Sequence, residues 1–84
     1  MITLQKLNVY NKYSGDIDQF SRMGIRKDHN IISQEEWFFL SNILQSLDMV
    51  KKDVISPEFS AKTIEKLKNS CDPEVYHLLI KEII

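Results

Sequence analysis

The sequence predicts an all-α fold: a single compact bundle of four or five helices over residues 1–84, with a long central helix at about 34–52. Three observations carry this expectation. Apolar residues recur at spacings of three and four through the middle of the chain. Helix-start signals punctuate the second half at Ser33, at Ser56-Pro57-Glu58 and at Asp72-Pro73-Glu74. The alternating pairs Ile2/Leu4 and Leu7/Val9 would suit a strand, but no second run offers a partner.

In the first thirty residues, Leu4, Leu7, Tyr10 and Tyr13 fit one helical face, so a helix is expected from about Ile2 to Tyr13. Asp16 can cap a short second helix, with Gln19 at the capping-box position and Ile17, Phe20 and Met23 facing inward. Gly24 suits the left-handed position that ends such a helix. The run Arg26-Lys27-Asp28-His29-Asn30 reads as a polar loop.

The central helix is expected to open with a capping box between Ser33 and Glu36. Trp37, Phe39, Leu40, Ile43, Leu44, Leu47 and Val50 share its broad apolar face, and Lys51 and Lys52 suit its negative end. In the next helix Pro57 takes the first turn and Glu58 complements the dipole. Ala61, Ile64, Leu67 and Cys71 mark its inner face, with Phe59 nearby and Glu58–Lys62 an expected i,i+4 pair. The last helix carries Val75, Tyr76, Leu79 and Ile83 on one side. Leu78, Ile80 and Ile84 widen that surface almost all round, which suits either the centre of the bundle or a homodimer face.

Composition narrows the function classes. The chain is 43% apolar and 27% charged with a formal net charge of −1, which excludes a uniformly basic DNA-coating chain and an acidic tail. Cys71 is the only cysteine, so neither an internal disulfide nor a cysteine zinc site can form. No basic, apolar leader follows Met1 and no window is apolar enough for a membrane span, so a cytoplasmic protein is expected.

The stretch Lys12–Gly24 holds both glycines, two acids and an arginine. Its structural reading is a capped short helix with a surface pair between Asp18 and Arg22. Its functional reading is a site where Asp16, Asp18 and Arg22 meet a partner. Asp16 and Asp18 point roughly 200° apart on a helix and cannot grip one substrate atom. His29 and His77 each suit a solvated role, and no phosphate loop, nucleophile elbow or metal-ligand spacing is present. Catalysis, metal and cofactor binding are therefore not expected.

Nucleic-acid binding is the alternative. Residues 1–30 carry five basic against three acidic residues, +2, whereas residues 31–84 carry six lysines against nine acids, −3. Tyr10, Tyr13 and Phe20 interleave with the basic end as a stacking platform requires, yet the periodicity puts them on the core side. The last two helices resemble a helix-turn-helix only loosely, because Asp72 and Glu74 would repel a phosphate backbone. The favoured expectation is a non-catalytic protein-interaction module of the inhibitor, neutraliser or adaptor type. Its candidate contacts are Asp16, Asp18, Arg22 and Arg26, with Phe38 and Met49 lining the outer side of the central helix.

Overall fold

In the computed structural model, which describes residues 1–83, the fold is all-α. Six helices follow one another: α1 (Leu4–Lys12), α2 (Ile17–Met23), α3 (Arg26–Ile31), α4 (Gln34–Lys51), α5 (Pro57–Ser70) and α6 (Pro73–Ile80). They form an elongated body of 40 × 23 × 19 Å.

The count exceeds the expected four or five because the polar run after Gly24 is a helix, not a loop. A six-residue helix is unstable alone. This one is held from outside: Asp28 turns inward to Tyr13, His29 lies on the Phe20 ring, and Ile32 enters the core just beyond it. None of these contacts leaves an apolar period in the sequence.

Helix α4 forms as its sequence demands. The Ser33 hydroxyl accepts from the Glu36 amide at 3.1 Å and the Glu36 carboxylate accepts from the Ser33 amide at 3.0 Å, a complete capping box. Trp37, Leu40, Ile43 and Leu47 are buried, whereas Phe39 and Leu44 pack at the edge of the core. At its other end Asp53 is left-handed (φ 56°) and Val54 donates back to Met49, closing a Schellman motif without glycine. Helix α5 then folds back along α4, with Lys66 over the Phe39 ring.

The inner face of α5 is turned from the expected one: Thr63 and Leu67 are buried, Ile64 is half-buried, and Ala61 and Phe59 are exposed. Thr63 reads as polar in a periodicity count, but it is the residue that packs. The expected Glu58–Lys62 pair is not formed among the described residues; Lys62 lies along the α4–α5 groove, and the i,i+4 pair that does form is Lys52–Asp48.

Helix α1 packs against α3, α4 and α6, so Val9 is buried as well as Leu7. It begins later than expected because Ile2 is extended, not helical. The Ile2 amide donates to the Ser70 carbonyl and the Asp72 amide donates to the Ile2 carbonyl, both at 2.9 Å, clipping the start of the chain to the α5–α6 junction. Val75 and Ile80 of α6 are buried, and Tyr76, Leu79 and Ile83 pack against the core, leaving Leu78 outside. Ile84 lies outside the described residues.

Candidate functional site

The junction of α2 and α3, residues 22–27, is the most distinctive surface of the molecule, and its geometry starts behind it. Phe20 is sandwiched between Trp37, at 4.4 Å and 9° between planes, and His29, at 4.2 Å and 23°; Tyr13 tilts against its edge at 5.2 Å. The Tyr13 hydroxyl donates to Asp28 at 2.7 Å and accepts from the Ile25 amide at 3.4 Å. Lys12 donates to the same Asp28 oxygen at 2.9 Å. The Lys12 ammonium and then the Tyr13 hydroxyl hold the Asp28 carboxyl below its ordinary range, and Asp28 in turn raises Lys12. A buried carboxylate and a buried ring thus fix the backbone of the corner from inside.

Gly24 was expected to be left-handed and is not: its φ is −67°. Glycine is needed there for room. A Cβ would lie 2.4 Å from the Phe20 carbonyl oxygen and 2.8 Å from His29 Nε2. Gly15, at φ 69°, is the left-handed glycine, beside the equally left-handed Ser14.

The corner therefore turns its side chains outward. Met23 is 70% exposed and Ile25 52%. Met23 was expected inside; His29 of α3 occupies that side of Phe20, and α2 ends before another turn could cover it. Arg22, Arg26 and Lys27, the charged neighbours of this pair in sequence, are exposed as well. Arg22 suits the negative end of α2, but local helix stability does not call for the rest of this set. Ile25 makes no side-chain cap, and Arg26 and Lys27 stand in the first turn, where cations are the disfavoured charge.

The other candidate residues are distributed as follows. Asp16 caps α2, accepting from Asp18 at 3.0 Å and Gln19 at 3.3 Å. Asp18 is exposed but does not pair with Arg22, whose Nε donates instead to the Asp18 carbonyl at 3.4 Å. Phe38 is 46% exposed on α4, whereas Met49 is half-buried, so the two do not make one exposed line. Tyr13 and Phe20 are buried, and Tyr10 packs on Trp37 at 4.8 Å with its hydroxyl on Ser41. No exposed ring of this group remains for stacking bases. Sequence reasoning placed Met23 inside, made nothing of Ile25 and put Lys27 in a polar loop without making it a candidate contact; the signal available was a methionine and an isoleucine on either side of glycine, flanked by cations.

Elsewhere an open groove of about 440 Å³ lies between the first residues, the start of α4 and the end of α5. Its floor is occupied by structure: Glu36 bonds Ser33 and pairs with Lys6. Burial pushes the Glu36 carboxyl up, but the Lys6 ammonium and the Ser33 amide outweigh it and leave it lowered. Cys71 is buried, and burial followed by the Asp72 charge raises its thiol. Among the described residues no three His, Cys, Asp or Glu side chains gather as a metal-holding group, and no helix is long and apolar enough to cross a membrane.

The molecule is thus an all-α bundle with a basic and apolar corner at the α2–α3 junction. No protein-family model, curated protein or solved structure matches the chain.

Proposed function

We propose that this chain is a small, non-catalytic protein-interaction module that acts in the cytoplasm by binding a protein partner through the α2–α3 corner. One observation supports the reading most: Met23 and Ile25 stand out from a backbone that Gly24, Phe20, Tyr13 and Asp28 lock from behind. Exposed apolar side chains on an ordered turn suit an interface centre, because little conformational freedom remains to be lost on binding. Arg22 and Arg26 belong to this surface, whereas Asp16 is engaged as a cap and Met49 is partly covered.

The test is retention of protein from a lysate of the source cells on the immobilised full chain, after nuclease treatment. A defined protein should be kept by the natural chain and by Phe38→Ser, and lost by Met23→Asp/Ile25→Asp. Retention that disappears with nuclease would transfer the corner to the nucleic-acid reading.

A further inference from the structure

The charge around the corner defines what kind of partner fits it. Residues 22–27 contain three cations and no acid. The ion pairs among the described residues are Lys6–Glu36, Lys12–Asp28 and Lys52–Asp48, so Arg22, Arg26 and Lys27 are all unpaired. The nearest acid in sequence, Asp28, is turned inward and already engaged by Lys12 and Tyr13. Asp28 attracts Lys27 through space and Asp18 stands one turn before Arg22, but no ion pair within the described residues neutralises the three cations next to Met23 and Ile25.

Resting on the protein-binding reading above, we propose that the occupant is an acidic protein segment: one or two apolar side chains seat on Met23 and Ile25, and flanking carboxylates meet Arg22, Arg26 and Lys27. Two arginines can hold carboxylates well, since each planar guanidinium can present two parallel donors to one carboxylate; the apolar centre, not the arginines, sets this surface apart from a phosphate site. The exposed cations keep most of their hydration until the partner arrives, so the pairs act mainly on encounter rate and choice of partner. The apolar pair supplies the desolvated centre that such pairs lack.

A phosphate backbone suits the corner less well. The centre of the surface is apolar, the Tyr13 and Phe20 rings behind it are buried, and exposed Asp16 and Asp18 stand at the start of the same α2. A protein partner has no such conflict, because it can set a basic or neutral residue opposite those two acids.

The experiment is a selection of displayed random peptides on the full natural chain, followed by binding of the recovered synthetic peptides to the natural chain and its variants. The expected peptides are rich in Asp and Glu around Leu, Ile, Phe or Trp. Their affinity should fall at least about tenfold for Arg22→Glu/Arg26→Glu/Lys27→Glu, and a similar amount between low and high salt. The reversal should leave the free protein folded, because none of the three side chains makes an ion pair within the fold and the Arg22 contact to the Asp18 carbonyl lies at the surface; circular dichroism of the variant checks this. Neutral or basic peptides, or acidic ones indifferent to the reversal, would overturn the acidic-segment proposal while leaving the protein-binding reading in place. Tighter binding of an oligo(dT) probe than of any peptide, lost on the same reversal, would overturn both. Self-association of the chain that the reversal abolishes would replace the acidic partner with a second copy.

Discussion

Phe20 and Trp37 lie face to face, 4.4 Å between ring centres and 9° from parallel, although they stand seventeen positions apart in the chain. This stack joins the N-terminal third to the central helix, and every feature of the corner is built on its outer side.

Truncating Phe20 should therefore be costly. Phe20→Ala removes a buried ring wedged between Trp37 and His29 and should destabilise the protein by about 3–5 kcal/mol. For a chain this small that is much of its stability. Urea unfolding followed by Trp37 fluorescence measures it; a loss under about 1 kcal/mol would mean that the stack contributes little beyond contact.

Gly24→Ala should also destabilise, by about 1–3 kcal/mol, even though its backbone angles suit any residue. The new methyl meets a backbone oxygen that has little room to retreat. The double variant Gly24→Ala/His29→Ala should recover only part of the loss, because the Phe20 carbonyl remains. Full recovery would assign the crowding to the imidazole alone.

Asp53→Gly should act in the opposite direction. Asp53 holds a left-handed conformation at the end of α4, which costs an L-residue more than it costs glycine. Set against the extra freedom that glycine gains when unfolded, a net stabilisation of about 0.5 kcal/mol is expected from denaturant midpoints. A lower midpoint would show that the aspartate side chain itself supports the turn.

The Lys12–Asp28–Tyr13 group sets a pH dependence with a definite sign. Asp28 is lowered in the folded state, so its contribution is present above its unfolded pKa, about 3.9, and disappears as pH falls through the folded value. Lys12 is raised, so its contribution holds below about 10.4 and disappears as pH rises through the folded value. Asp28→Asn should thus be less stable than the natural protein at neutral pH, with the gap narrowing in acid. Midpoints from urea titrations across pH check this, and a constant gap would place the stabilisation elsewhere.

Phe38→Ser tests whether α4 uses its outer face in folding. With the ring nearly half exposed, the loss should stay below about 1 kcal/mol. A larger loss would place Phe38 among the packing residues.

How far these features could be read from the residues depended on whether their causes were local. The capping box of α4, the Asp16 cap and the proline starts of α5 and α6 follow from neighbours within one turn, and each lies where its residues indicate. Helix α3 does not, because Tyr13, Lys12 and Phe20 hold it from a different part of the chain. Gly24 shows the same division: two physical needs call for glycine, positive φ and absence of Cβ, and only the second applies here. Arg22 and Arg26 were recognisable by charge. Met23 was not recognisable as a surface group, because a seven-residue helix gives periodicity too few points to decide which side is covered.

The Ile2 clip bears on the order of assembly. Its two hydrogen bonds join positions about seventy residues apart, so closing it early would cost the chain entropy that no local contact returns. The helical hairpin of α4 and α5 draws on near neighbours, so it is expected to form before a clip between positions so far apart closes. Deuterium uptake at the Asp72 amide would then follow undocking of the opening segment from the rest, a motion that the amides within α4 do not sense.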